Sequence, residues 1–227
     1  VVDHTSNASE GTTHVRVIAI DGPAGSGKST VGRRLAERLG LTYLDTGAMY
    51  RAVAFAAIRR GVDPADAEPV AAVARDMELV VDDTTVLVDG VDATLEIRGA
   101  EVSRAVSLVA ANPEVREEMR TRQRVWATEH GGGVIEGRDI GSVVFPDAVL
   151  KVYLTADPAV RAQRRAEEML DADYDQVAAD IARRDAMDSS RADSPLVEAD
   201  GAVTVDTTGL DIDGVLEVIV GLLEQRS

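Results

Sequence analysis

The segment Val15-Arg16-Val17-Ile18-Ala19-Ile20-Asp21, followed by Gly22-Pro23-Ala24-Gly25-Ser26-Gly27-Lys28-Ser29-Thr30, sets the architecture of this chain. Its opening residues have the apolar content of a buried strand. Val31, Leu35 and Leu39 then recur at four-residue spacing, as one face of a helix does. Between strand and helix lies the pattern G-x-x-x-x-G-K-[ST] in the context that gives it meaning, so a phosphate-binding loop is predicted. Gly22, Gly25 and Gly27 let main-chain N–H groups approach phosphate oxygens with no Cβ in the way. Lys28 places a positive charge near the β and γ phosphates, and Ser29 offers a hydroxyl to Mg²⁺. The helix beginning there aims the positive end of its dipole at the anion. Lys28 stands out further because the chain carries only one other lysine, Lys151, among many arginines.

Length and composition bound what surrounds this loop. The chain has 227 residues, enough for one generous domain, and 24 Lys+Arg against 40 Asp+Glu give a net charge of -16. That balance argues against a general nucleic-acid binder or a ligand for anionic membranes, so any bound phosphate needs a local concentration of basic groups. There is no cysteine, and the histidines are scattered at His4, His14 and His130, which excludes thiolate chemistry and a zinc cluster. No stretch approaches a membrane span or a signal peptide, so a cytoplasmic location is expected. Residues 1–14 are polar and aperiodic and read as a disordered leader.

Strands and helices alternate beyond the loop. Leu41 to Leu44 is expected as a strand ending at Asp45-Thr46-Gly47, and Ala48 to Arg60 as a helix with Met49, Val53 and Ala56 on one face. Residues 62–100 break the pattern with β-rich runs at Met77 to Val81 and Thr85 to Val88 and a hairpin signal at Asp89-Gly90, so an inserted subdomain with antiparallel strands is predicted. Helices are expected over Ala100 to Ala111 and from Pro113 to His130, with Asn112 as cap. Strands are expected at Val134-Ile135, Val149 to Leu154 and Val203 to Val205, with helices from Asp157-Pro158 and over Gly214 to Leu223. Gly131-Gly132-Gly133 reads as a helix stop ahead of its strand. The predicted fold is α/β, a parallel sheet of the P-loop NTPase type covered by helices on both sides.

Open α/β sheets bind ligands beyond the carboxyl ends of their strands. The phosphate loop, Asp45-Thr46-Gly47, Gly137-Arg138-Asp139 and Thr155-Ala156-Asp157 are all expected there. Phosphoryl transfer needs positive charge around donor and acceptor, and the candidates are Arg51, Arg138, the cluster Arg161, Arg164 and Arg165, and the set Arg183, Arg184 and Arg191. Arg161 and Arg165 share a helix face, as do Arg184, Asp188 and Arg191. Each arginine alone could equally be a solvated residue paired with Glu167, Glu168, Asp180 or Asp185, and Asp45 could be a turn residue only.

Four stretches taken together carry a resemblance: Asp21 to Thr30; Leu44-Asp45-Thr46-Gly47-Ala48-Met49-Tyr50-Arg51; Glu136-Gly137-Arg138-Asp139-Ile140-Gly141-Ser142-Val143-Val144-Phe145-Pro146-Asp147-Ala148; and Arg184-Asp185-Ala186-Met187-Asp188-Ser189-Ser190-Arg191. From about Val15 to its C-terminus the chain resembles bacterial cytidylate kinase. The resemblance implies phosphoryl transfer from ATP to CMP or dCMP, with Mg²⁺. It implies a monomer with a kinase domain over residues 15–227: a core of 15–61 and 101–227, a monophosphate-binding insertion at about 62–100 and a helical lid at about 158–180. By similarity, Arg51, Arg138 and Arg191 hold the acceptor phosphate, Arg184 and Asp188 fix the ribose, and Ser107, Arg116 and Asp139 read the base, with Thr46 and Tyr50 in the same acceptor-binding set. Lys28, Arg138, Arg191, Arg161 and Arg165 make up the implied catalytic group, the last two as part of the lid. Cytosine suits that base set, because its amino group donates to Asp139 while O2 and N3 accept from Arg116 and Ser107.

One departure concerns the metal. The apolar runs before positions 136 and 155 end in Glu136 and Thr155 where an aspartate would be looked for, so Mg²⁺ is expected to rely on Ser29, ATP oxygens and water. A shikimate kinase is a poorer match, since the aspartate pair expected after its second strand is replaced by Asp45-Thr46-Gly47. An adenylate-type kinase stays open on general grounds, although Arg116 with Asp139 favours cytosine. A regulatory GTP-binding switch would need N-K-x-D, and neither Asn7 nor Asn112 precedes a lysine.

Overall fold

A computed structural model describes residues 15–168 and 173–226. The leader read over residues 1–14 lies outside these, as do positions 169–172 of the expected lid. In chain order the elements are β1 (Arg16–Asp21), α1 (Lys28–Leu39), β2 (Tyr43–Asp45), α2 (Thr46–Arg59), α3 (Ala67–Asp76), β3 (Leu79–Val81), β4 (Val86–Val88), β5 (Val91–Asp92), α4 (Ala100–Ala111), α5 (Pro113–Glu129), β6 (Gly132–Gly137), β7 (Leu150–Thr155), α6 (Pro158–Glu167), α7 (Tyr174–Ser190), β8 (Val203–Asp206) and α8 (Ile212–Glu224).

Five strands form a parallel sheet in the order β2-β6-β1-β7-β8. Successive residues of a strand point to opposite faces, and β1 uses this fully: Val17 and Ala19 join one apolar cluster, Ile18 and Ile20 the other. The second cluster is closed by Leu35 of α1 and Val215, Leu216 and Ile219 of α8. The first is closed by α2, α4 and α5, and it continues without a break into the inserted segment through Val70, Met77, Val88 and Ile97. The insertion thus shares the main core, with its antiparallel sheet β3-β4-β5 at the periphery. Asp89 at φ 51° and Gly90 at φ 73° make the two-residue turn between β4 and β5 that the sequence signalled.

Several elements differ from the sequence reading, and three of them show why. Helix α2 starts at Thr46 and not at Ala48, because the Asp45 side chain accepts from the Ala48 N–H and caps it. Helix α3 stands inside the insertion where only strands were read. Strand β6 begins within the glycine triplet, so that only Gly131 serves as the helix stop. A Cβ on Gly132 would lie 2.2 Å from the Arg16 carbonyl oxygen, and one on Gly133 2.7 Å from that of Thr42. The neighbouring strands come too close there for any side chain.

Register places the chemistry. Pairing of β1 with β6 sets Asp21 opposite Gly137, and pairing of β2 with β6 sets Asp45 opposite Glu136. The phosphate loop, the start of α2 and the Gly137-Arg138-Asp139 turn therefore leave the sheet side by side. Asp21 reinforces this by accepting from the N–H groups of Ile140 (2.9 Å) and Gly141 (2.7 Å), which open a single π-helical turn at Ile140–Val144.

Candidate active site

A cleft opens above the carboxyl ends of β1, β2 and β6. Its walls include Gly25, Gly27, Lys28, Ser29 and Thr30 from the phosphate loop and α1, and Asp45, Gly47, Tyr50 and Arg51 from the start of α2. Ser107 and Arg116 reach it from α4 and α5, Arg138 and Asp139 from the end of β6, Arg165 from α6, and Arg184, Asp188 and Arg191 from α7 and its C-cap. Segments far apart in sequence meet in one place.

The side of the cleft formed by the phosphate loop is organised by burial. Gly25 and Gly27 adopt φ of 73° and 89°, which other residues resist, and they curl the loop around the first turn of α1. Lys28 is buried, and its Nζ donates to the Pro23 carbonyl at 2.7 Å. Burial, with the Arg138 guanidinium nearby, pushes this ammonium below the ordinary lysine range. Ser29 Oγ donates to Glu136 Oε1 at 2.7 Å, and the Tyr43 hydroxyl donates to the same oxygen at 2.8 Å. Oε2 of Glu136 is buried without a partner. Burial, with Asp45 beside it, pushes the Glu136 carboxyl up.

The opposite side of the cleft is a convergence of guanidinium groups. Arg116 and Asp139 form a buried ion pair at 2.5 Å, with the Arg116 guanidinium also 5.4 Å from the centre of the Tyr50 ring. Arg138 Nε donates to Asp188 Oδ2 at 2.9 Å, while Arg191 lies 3.5 Å from Oδ1 of the same carboxylate. One aspartate thus holds two arginines toward the cleft. Arg191 keeps two buried nitrogens, Nε and one Nη, without a partner. Arg51 is fixed by Ser103 Oγ (2.9 Å) and the Ile97 carbonyl (3.1 Å). Burial and the adjacent Arg184 and Arg165 lower the Arg51 pKa to about 10. Burial also lowers Arg184, with Arg138 adding to it, and lowers Arg191, with Arg116 adding to it. Cations that depress one another this way are arranged to receive an anion.

Some predicted residues sit elsewhere. Thr46 Oγ1 donates to the Glu136 carbonyl at 2.6 Å, buried behind the cleft and tying α2 to β6. Arg161 is buried beside the phosphate loop, bonded to protein groups and outside the cleft lining. Arg164 reaches Thr207 at 2.9 Å, and Arg183 pairs with Asp180 on an exposed face. Thr155-Ala156-Asp157, expected at the site, supports it from behind. Asp157 caps α6 through the Ala159 N–H, and the Thr155 carbonyl accepts from the Thr207 N–H. Gly22, Pro23 and Ser26 shape the loop from below, and a Cβ on Gly22 would lie 2.0 Å from the Leu154 carbonyl oxygen.

Glu136 and Arg98 line the cleft and were missed as site residues. Glu136 was visible only as a carboxylate at a strand end with one methylene more than the aspartate looked for. Arg98, 3.4 Å from Asp45, ends a single-turn helix that carries no sequence signal. Among the described residues no three His, Asp or Glu side chains cluster to hold a metal alone. The Ser29 hydroxyl and the unpartnered Glu136 oxygen nonetheless fit Mg²⁺, which takes few protein oxygens and completes its shell with phosphate and water.

Comparison with known proteins points to one family. A family model described as cytidylate kinase matches residues 18–225. A cytidylate kinase of Corynebacterium glutamicum is 48% identical over 216 residues, covering 92% of this chain and 94% of that protein. One from Mycobacterium leprae is 46% identical over 215 residues, covering 93% and 96%. A bifunctional pantoate ligase/cytidylate kinase of a Synechococcus species is 49% identical over 219 residues, covering 92% of this chain and 43% of its own length.

Proposed function

The chain belongs to the cytidylate kinase family, and on that premise we propose how its cleft divides the work of phosphorylating CMP and dCMP with ATP. The activity is that of a phosphotransferase. ATP lies along Gly22–Thr30 with its γ phosphate above Lys28, and the acceptor lies across Arg51, Arg138 and Arg191. Asp139 accepts from the cytosine amino group, Arg116 and Ser107 donate to O2 and N3, and Arg184 and Asp188 meet the ribose.

The observation that carries this reading is the register of β1 against β6. It fixes the donor loop one strand away from the Arg116–Asp139 pair, so the two nucleotides approach end to end. The acceptor phosphate is anionic at neutral pH, so no side-chain base is needed and the chain contributes alignment and charge neutralisation. Lys28 leaves the Pro23 carbonyl for the β and γ oxygens. Arg138 and Arg191, already aimed by Asp188, draw the acceptor oxygen into line. Ser29 and Glu136 would hold Mg²⁺, which when bound would supply Lewis-acid neutralisation of the triphosphate.

Arg165 and the other groups on α6 and α7 form a lid over about 158–180 that excludes water, while residues 62–100 form the acceptor-side insertion. The enzyme acts as a cytoplasmic monomer on small molecules. No described helix is long and apolar enough to cross a membrane. A coupled assay of ADP release against CMP, dCMP, UMP, AMP and shikimate tests the reading. CMP- and dCMP-dependent turnover is expected, and turnover on AMP or shikimate in their place would overturn it.

A further inference from the structure

Arg161 and Asp185 do something that neither the phosphate-binding motif nor the acceptor set accounts for. Ala24, at the tip of the phosphate loop, has both of its backbone polar groups held by this pair. Its N–H donates to Asp185 Oδ1 at 3.1 Å, and its carbonyl accepts from Arg161 Nη1 at 3.0 Å. The same Arg161 nitrogen pairs with the other Asp185 oxygen, and Arg161 Nε donates to the Ala156 carbonyl at 3.2 Å. Both side chains are largely buried, at 11% and 18% exposed. The Ala24 methyl packs with Ala162, Val177 and Ile181, and a Cβ on Gly25 would lie 2.7 Å from the Arg161 carbonyl oxygen. The loop tip is therefore docked on α6 and α7 by backbone, charge and apolar contact together.

Asp185 directly follows Arg184 on α7 and precedes Asp188 by three residues, so the helix that grips the donor loop also presents the acceptor-facing groups. We propose that Arg161 and Asp185 are positioning residues that couple the two nucleotide sites. When the acceptor settles against Arg184, Asp188 and Arg191, α7 is fixed, and through Asp185 and Arg161 it fixes Ala24 in the shape that receives the triphosphate. Coupling of this kind is reciprocal: each nucleotide raises affinity for the other by one factor. The proposal rests on the assignment of the acceptor to the α7 arginines.

Calorimetric titration of a non-hydrolysable ATP analogue with Mg²⁺, with and without saturating CMP, tests it. In the native chain CMP is expected to raise analogue affinity roughly five- to twentyfold. In Asp185→Asn, and independently in Arg161→Lys, that factor is expected to fall below about twofold, while CMP affinity measured alone is retained. The two variants guard against a folding defect in either, and thermal unfolding without nucleotide checks both. Three results would overturn the coupling role: no coupling in the native chain, full coupling in both folded variants, or loss of analogue affinity in Arg161→Lys alone, as expected if Arg161 contacts phosphate directly. Failure of CMP to bind the native chain would instead sink the acceptor assignment.

Discussion

Asp139 has two duties that the structure makes inseparable. It faces the cleft, and it neutralises a guanidinium that is 1% exposed. Removing one partner of a buried pair leaves the other charge uncompensated, so Asp139→Ala should cost about 3–5 kcal/mol of stability besides weakening CMP. Urea unfolding with an unchanged m value would measure it, and unaltered stability would contradict the pairing. Lys28 sits differently, because burial already disfavours its charge. Lys28→Ala should fold normally yet lose about 10²–10³ or more in turnover, on the scale of a donor lost at a developing charge; near-native turnover would refute its role. Asp21 has a pKa raised to about 6 by burial, against the two N–H groups that favour its charge. The folded state then binds a proton more readily than the unfolded one, so this group's contribution is complete at low pH and lost as pH rises through about 6. Relative to Asp21→Asn, the native chain should therefore lose about 2–3 kcal/mol between pH 4 and pH 7, read from unfolding at each pH. A difference that stays constant with pH would show that Asp21 is not buried as described. The residue types at the site were legible in the sequence, Lys28 and Arg138 among them. Their partners were not: nothing in the order of residues says that Tyr43 bonds Glu136 or that Asp188 holds two arginines.

At the scale of the element, periodicity and capping chemistry carried most of the assignment. Asn112 and Pro113 announced α5, and Asn112 Oδ1 accepts from the Glu114 and Val115 N–H groups while its Nδ2 donates to the Ala67 carbonyl in the insertion. Asn112→Ala removes a cap and a tether together, so a loss of about 1–2 kcal/mol is expected in chemical denaturation; a loss within a few tenths would show that the tether contributes nothing. Where the elements were misread, tertiary packing had overridden local preference. A glycine run usually stops structure, yet Gly132 and Gly133 are in β6 because β1 and Thr42 press against them. Gly132→Ala tests this, and the soluble folded fraction should fall sharply, since its Cβ would overlap backbone that cannot yield. Helix α3 was missed because its apolar face is short and mostly alanine and valine, which say little alone.

At the scale of the molecule, the fold gathers loops from the carboxyl ends of β1, β2 and β6 around one cleft, which the proposed function divides into two facing half-sites. The phosphate-loop side of the cleft lies in nine consecutive residues of recognisable motif, whereas the arginine-rich side is assembled from five segments whose meeting only topology arranges. Arg191→Ala separates the halves. Losing charge-assisted bonds of about 1.5–3 kcal/mol should weaken CMP by about 10- to 100-fold and leave ATP-analogue affinity within about twofold; equal losses for both would place Arg191 on the donor side or in the scaffold. The Asp21 carboxylate, which grips Ile140 and Gly141, bears on redesign. The residue that launches the phosphate loop also anchors the turn bearing Asp139, for which we propose the base-reading role. Base preference and catalytic power are consequently not interchangeable modules here, and grafting a foreign 138–144 turn to change the accepted nucleobase would loosen the ATP-binding loop as well.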